Sequence, residues 1–97
     1  MTIIEIDNSK IPIYFKRDRY LNDQLKIIAI NAIDHSTLFE LTKYVNINSL
    51  GLNKDLIVGR AEINGAKIID QLINNNVLEK SDSIIVDGDK VYVTKFK

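Results

Sequence analysis

Apolar and polar residues alternate near both ends of the chain and fall at helical spacing through its middle. At the start, 2–6 (TIIEI) and 11–15 (IPIYF) are short apolar segments on either side of Asp7-Asn8-Ser9-Lys10. Asp, Asn and Ser side chains bond their own backbone in tight turns, so this pattern predicts a β-hairpin. Pro12 has no N–H to offer a neighbour, which predicts an edge strand or one beginning at a bulge. At the other end, 83–86 (SIIV) and 90–96 (KVYVTKF) flank Asp87-Gly88-Asp89. An Asp-Gly pair between β-branched segments predicts a second hairpin.

Between the hairpins the period changes. From Leu21 to Ile33, Leu21, Leu25, Ile28, Ala29 and Ala32 share one helical face, and Ile27, Ile30 and Ile33 widen it, predicting a central helix. Leu38, Leu41 and Val45 mark a second helix, with Thr37 and Glu40 at the spacing of a capping box. Asp34, His35 and Ser36 form the connection. The polar stretch 46–53 (NINSLGLN) ends that helix. A short helix over Lys54 to Arg60 and a longer one from about Gly65 to Asn76 follow, the latter with Ile68, Ile69, Leu72 and Ile73 at paired spacing. Asn74, Asn75 and Asn76 are its expected stop.

Composition narrows the chemistry without naming it. The 97 residues carry 13 Lys plus Arg and 13 Asp plus Glu, for a net charge of zero. This length predicts one domain spanning 1–97. The chain has no Cys, which removes disulfides, thiolate-held zinc, iron–sulfur centres and a cysteine nucleophile. The longest apolar run, Ile27 to Ile30, is far too short to cross a membrane, and no secretory signal is visible at the start. These features predict a cytoplasmic protein. Isoleucine occurs 17 times and Asn 10 times against four each of Ala and Gly, a bias that AT-rich codons explain.

From residue 54 onward the order is helix, tight connection, helix, hairpin, and here the chain resembles the winged helix-turn-helix superfamily. A helix-turn-helix unit of about 20 residues keeps small or apolar side chains where its two helices cross. Counted from Lys54, those places fall on Ile57, Ala61, Ile63, Ile68 and Gln71, and four of the five suit. Glu62 stands where the family often has Gly, and the early hairpin is not part of the minimal fold. The resemblance implies an α+β, winged-helix-like domain: an N-terminal β-hairpin, three to four helices and a C-terminal hairpin serving as the wing.

It also implies double-stranded DNA as partner, bound by a homodimeric transcriptional regulator or a replication or partition factor. Asn64, Gly65, Lys67 and Gln71 would face the major groove from the second helix. Asn53, Lys54 and Arg60 would hold phosphates, as would Lys90 and Lys95 from the wing. Lys16, Arg17 and Arg19 around Asp18 form a further basic cluster. Residues 50–97 hold seven basic and seven acidic side chains, however, so DNA binding requires the fold to segregate them. A protein-interaction domain without nucleic-acid contact is the alternative that neutrality favours. A ubiquitin-like roll is a further arrangement, less compatible with the helical pattern at 65–76.

Other candidates are better explained by structure. His35 is the sole His and lacks partners for a metal site. Asp82, Asp87 and Asp89 lack calcium-loop spacing and suit a turn. Val58-Gly59-Arg60 reads as a helix end or a close backbone approach. Tyr14, Phe15 and Tyr20 interleave with basic residues, which could stack and neutralise single-stranded nucleic acid, though alternating core and solvent faces explain the pattern more simply. No enzymatic activity, cofactor or metal is expected.

Overall fold

The computed structural model describes residues 2–59 and 63–97, with the backbone alone at 63–66 and 89. Among the described residues the chain forms β1 (Thr2–Ile6), β2 (Ser9–Arg19), β3 (Leu25–Asn31), β4 (Thr37–Glu40), α1 (Ile47–Leu50), β5 (Ile57–Val58), α2 (Ile63–Asn74), β6 (Leu78–Val86) and β7 (Asp89–Phe96). The strands make two antiparallel sheets, ordered β1-β2-β3-β4 and β5-β7-β6.

Both predicted hairpins are present. Asp7 and Asn8, at φ 50° and 66°, make the first turn, and Asp87 and Gly88, at φ 52° and 84°, make the second. Two consecutive residues at positive φ give the turn twist that matches flanking strands. Pro12, however, lies in an interior strand, since β2 pairs with both β1 and β3. It sits just past the last β2–β3 pair, Ile13↔Asn31, where its carbonyl still accepts from Ala32 N–H at 2.9 Å. The missing donor therefore falls beyond the ladder.

The winged-helix expectation is overturned: the protein is mostly β, with two helices among the described residues, one of them a single turn. The segment 21–33 is a turn followed by β3. Leu25, Ile27 and Ala29 are buried on one face, facing Arg19, Arg17 and Phe15 of β2, while Ile28 and Ile30 lie on the other. Leu21, expected in the core, is fully exposed. The segment 37–45 is extended rather than helical, and Glu40 accepts from the Tyr20 hydroxyl at 2.8 Å instead of capping a helix. Residues 54–58 form a turn and β5, so the first helix of the helix-turn-helix unit is absent. Ala61 and Glu62 of that unit lie outside the described residues. The helix predicted from Gly65 is α2, and it ends in a left-handed residue, Asn76 at φ 60°.

The two sheets are joined along one seam and closed along the other. On the first, Thr42 bridges Gly59 and Lys43 N–H donates to Val58 C=O at 2.8 Å. On the second, α2 packs against both β1 and β6. There Glu5 N–H donates to Gln71 Oε1 at 2.7 Å, and Gln71 Nε2 donates to Glu5 C=O at 2.9 Å. The side-chain amide thus occupies the place of a neighbouring strand's peptide group on the free edge of β1. Gln24, fully buried, does the same elsewhere: Nε2 donates to Lys43 C=O at 2.8 Å and Oε1 accepts from Val45 N–H at 3.0 Å.

The main core lies between the sheets and α2, built from Ile4, Ile13, Ile27, Ala29, Leu41, Ile57, Ile69, Leu72 and Leu78. A smaller cluster of Val45, Ile47, Val58 and Val91 fills the other face of the second sheet, under α1. Gly59 is the close approach: a Cβ there would lie 2.9 Å from both Cγ1 and Cδ1 of Ile69. No helix among the described residues is long and apolar enough to cross a membrane.

Candidate functional site

Strand β2 outruns its apolar residues. Ile11, Ile13 and Phe15 alternate onto the core face, and the same face continues as Arg17 and Arg19, opposite Ile27 and Leu25 of β3. Two charged side chains on a core-facing register mark the place where the sheets part. An open groove of about 590 Å³ lies there, lined by Arg17, Asp18, Arg19, Leu25, Asp55, Lys95 and Phe96.

Its walls are polar pairs around an aromatic floor. The rings of Phe15 and Phe96 are 5.4 Å apart, and Arg17 Cζ stands 4.6 Å from the Phe96 centroid. Arg19 is fully engaged: Nη2 lies 2.7 Å from Asp55 Oδ1, and Nη1 donates to Asp23 C=O at 3.1 Å and Lys54 C=O at 3.3 Å. Lys54 Nζ lies 3.1 Å from Asp23, and Lys95 Nζ lies 3.8 Å from Glu79. Each of these ion pairs is about half exposed, so each contributes at most about 1 kcal/mol. Arg17 has no carboxylate partner among the described residues. Three cations, Arg17, Arg19 and Lys95, and two carboxylates, Asp18 and Asp55, therefore line the groove, and the Lys54–Asp23 pair lies next to it, since Arg19 Nη1 bonds the backbone carbonyls of both residues.

The residues expected to face DNA are divided among separate places. Asn53 and Lys54 belong to a turn, not a helix; Asn53 Oδ1 accepts from Asp55 N–H at 2.8 Å. Lys95 lines the groove, and Lys54 lies beside it, its carbonyl accepting from Arg19 Nη1 and its Nζ paired with Asp23. Lys67 and Gln71 lie on α2 beside Glu5 and Asp7, near the β1–β2 turn. That turn precedes Ser9, and Arg17 is eight residues further along β2, about 26 Å away at strand rise. The Gln71 amide is spent on Glu5, so it has no base edge to read. Lys90 pairs with Ile85 at the β6–β7 tip, five residues from Lys95 and on the opposite face of β7. Arg60 lies outside the described residues, and Asn64 and Gly65 are described by backbone alone in the first turn of α2.

Sequence signals point only weakly to Arg17 and Arg19, and not to Asp55 or Phe96, as groove residues. The strand alternation from Ile11 to Arg19 was a usable signal for the arginines. No local signal joins Phe96 to them. His35 occupies an exposed turn at φ 62°, its Nδ1 3.2 Å from the Tyr14 hydroxyl. Among the described residues no group of three or more His, Asp or Glu is placed to hold a metal ion. No protein-family model, curated protein or solved structure matches the chain.

Proposed function

We propose that the protein is a protein-interaction domain, without catalytic chemistry, that engages its partner through the groove between β2 and β7. The observation carrying this reading is the mixture of three cations, Arg17, Arg19 and Lys95, with two carboxylates, Asp18 and Asp55, in one groove with Phe96. Phosphate neutralisation needs positive charge gathered along one face. Here Lys67, Lys90 and the groove cations stand apart, which weighs against DNA. Protein interfaces instead combine an aromatic and arginine centre with a mixed polar rim.

The test is anisotropy of labelled random-sequence duplex DNA with the protein at low and moderate salt. No complex is expected even at low salt. A salt-dependent complex weakened by Lys67→Ala or Lys95→Ala would refute the reading.

A further inference from the structure

Building on that reading, we infer that the occupant of the groove is an extended acidic segment of a partner protein. It sets one carboxylate on the Arg17 guanidinium and an aromatic or aliphatic side chain beside Phe96.

The two arginines of β2 differ in what they leave open. Arg19 is held on both Nη atoms by Asp55 and by two backbone carbonyls, so it is a fixed part of the wall. Arg17 lies over the Phe96 ring at 4.6 Å and has no carboxylate among the described residues. A guanidinium held over a ring by cation–π attraction keeps its outward N–H groups available. Those groups match the two oxygens of a carboxylate. Lys95, next to Phe96 on β7, alternates onto the opposite face of that strand, 3.8 Å from its cross-strand neighbour Glu79. The groove thus presents one guanidinium without a carboxylate partner among the described residues, beside the apolar ring of Phe96.

A nucleic-acid strand fits this less well. Its backbone offers no N–H to Asp18 and Asp55, which line the same groove. A peptide alternates charge with apolar surface and has N–H groups that such carboxylates accept, which a phosphodiester backbone lacks.

The experiment measures anisotropy of a fluorescein-labelled peptide of alternating Glu and Tyr, of the same peptide with Gln for Glu, and of oligo-thymidine. The Glu peptide is expected to bind at low salt. Arg17→Ala should weaken it roughly tenfold or more, the scale of a charge-assisted hydrogen bond. Arg17→Lys should recover only part of the loss, and Lys67→Ala, at the far end of β2, should leave binding unchanged. Absence of binding, equal affinity for the Gln peptide, or indifference to Arg17→Ala each overturns the inference. If peptide and nucleic acid both fail to bind, only the acidic segment is wrong. If oligo-thymidine binds through Arg17 while the Glu peptide does not, the protein-interaction reading falls with it.

Discussion

Gln24 offers the sharpest test of how the sheets are held. Its side chain is fully buried and bridges Lys43 C=O at 2.8 Å and Val45 N–H at 3.0 Å. Truncation in Gln24→Ala leaves both backbone groups without partners and opens a cavity. An unpaired buried group costs about 1–3 kcal/mol, so with the cavity the loss should reach about 3–5 kcal/mol. That is a large share of the roughly 5–15 kcal/mol expected of a domain this size. Gln24→Glu sharpens the test because it keeps the shape. An ionised carboxylate cannot donate to Lys43 C=O, and burial disfavours its charge, so the folded-state pKa rises above the unfolded value of about 4.3. A raised pKa confers stability that is present below the unfolded pKa and lost as pH rises through the folded one. The Glu variant should therefore approach the parent near pH 4 and fall well below it at pH 7. Urea unfolding followed by far-ultraviolet circular dichroism reads both variants, with the slope m expected to stay constant. A loss under about 1 kcal/mol for Gln24→Ala, or a Glu variant as stable as the parent at neutral pH, would show that the buried amide is not what ties these segments together.

Three further outcomes follow from the packing and the charges. Gly59→Ala should destabilise by about 1–3 kcal/mol through overpacking against Ile69; an Ile69→Val partner change should recover part of it, and no recovery would place the strain elsewhere. Leu21→Ser should leave the urea midpoint unchanged, since Leu21 is fully exposed; a large loss would return residues 21–33 to a helical core. Asp34 should titrate below the usual carboxylate range, because the Ser36 hydroxyl at 2.6 Å, and then the Ser36 N–H at 2.9 Å, donate to its Oδ1. Such a lowered pKa favours the fold above the unfolded pKa, and this contribution is lost as pH falls through the folded pKa. Carboxyl NMR of Ser36→Ala should show the Asp34 titration moving up, and an unmoved value would exclude the hydroxyl as cause.

The hairpins and α2 were legible because their signals are local. Asp7-Asn8 and Asp87-Gly88 specify their turns within four residues, and Ile68, Ile69 and Leu72 repeat on one helical face. The run Ile27-Ile28-Ala29-Ile30 carries no such distinction. Four consecutive apolar residues fit a strand and a buried helix equally well, and only the burial of β3, which is fullest on the Leu25, Ile27 and Ala29 face, separates the two. What selects the strand is long-range: Gln24 bonds to residues 43 and 45, and Ile27 N–H donates to Thr42 Oγ1 at 3.1 Å. The helix-turn-helix spacing failed for a related reason. Ile57 fitted a helix crossing, yet it pairs with Thr94 as a strand residue. The groove was hidden more deeply, since Arg17 and Phe96 meet only after the sheets close.

That closure has a consequence for how the molecule responds to its surroundings. Gln71 holds the free edge of β1, and Gln24 ties the turn before β3 to the segment after β4, both through neutral amides. Neither bond is screened by salt, and neither titrates across the physiological range. The groove is the opposite, since its half-exposed ion pairs weaken as ionic strength rises. Ionic strength thus changes the charge pairing of the groove while the frame keeps its shape, so the surface and the architecture answer to different variables.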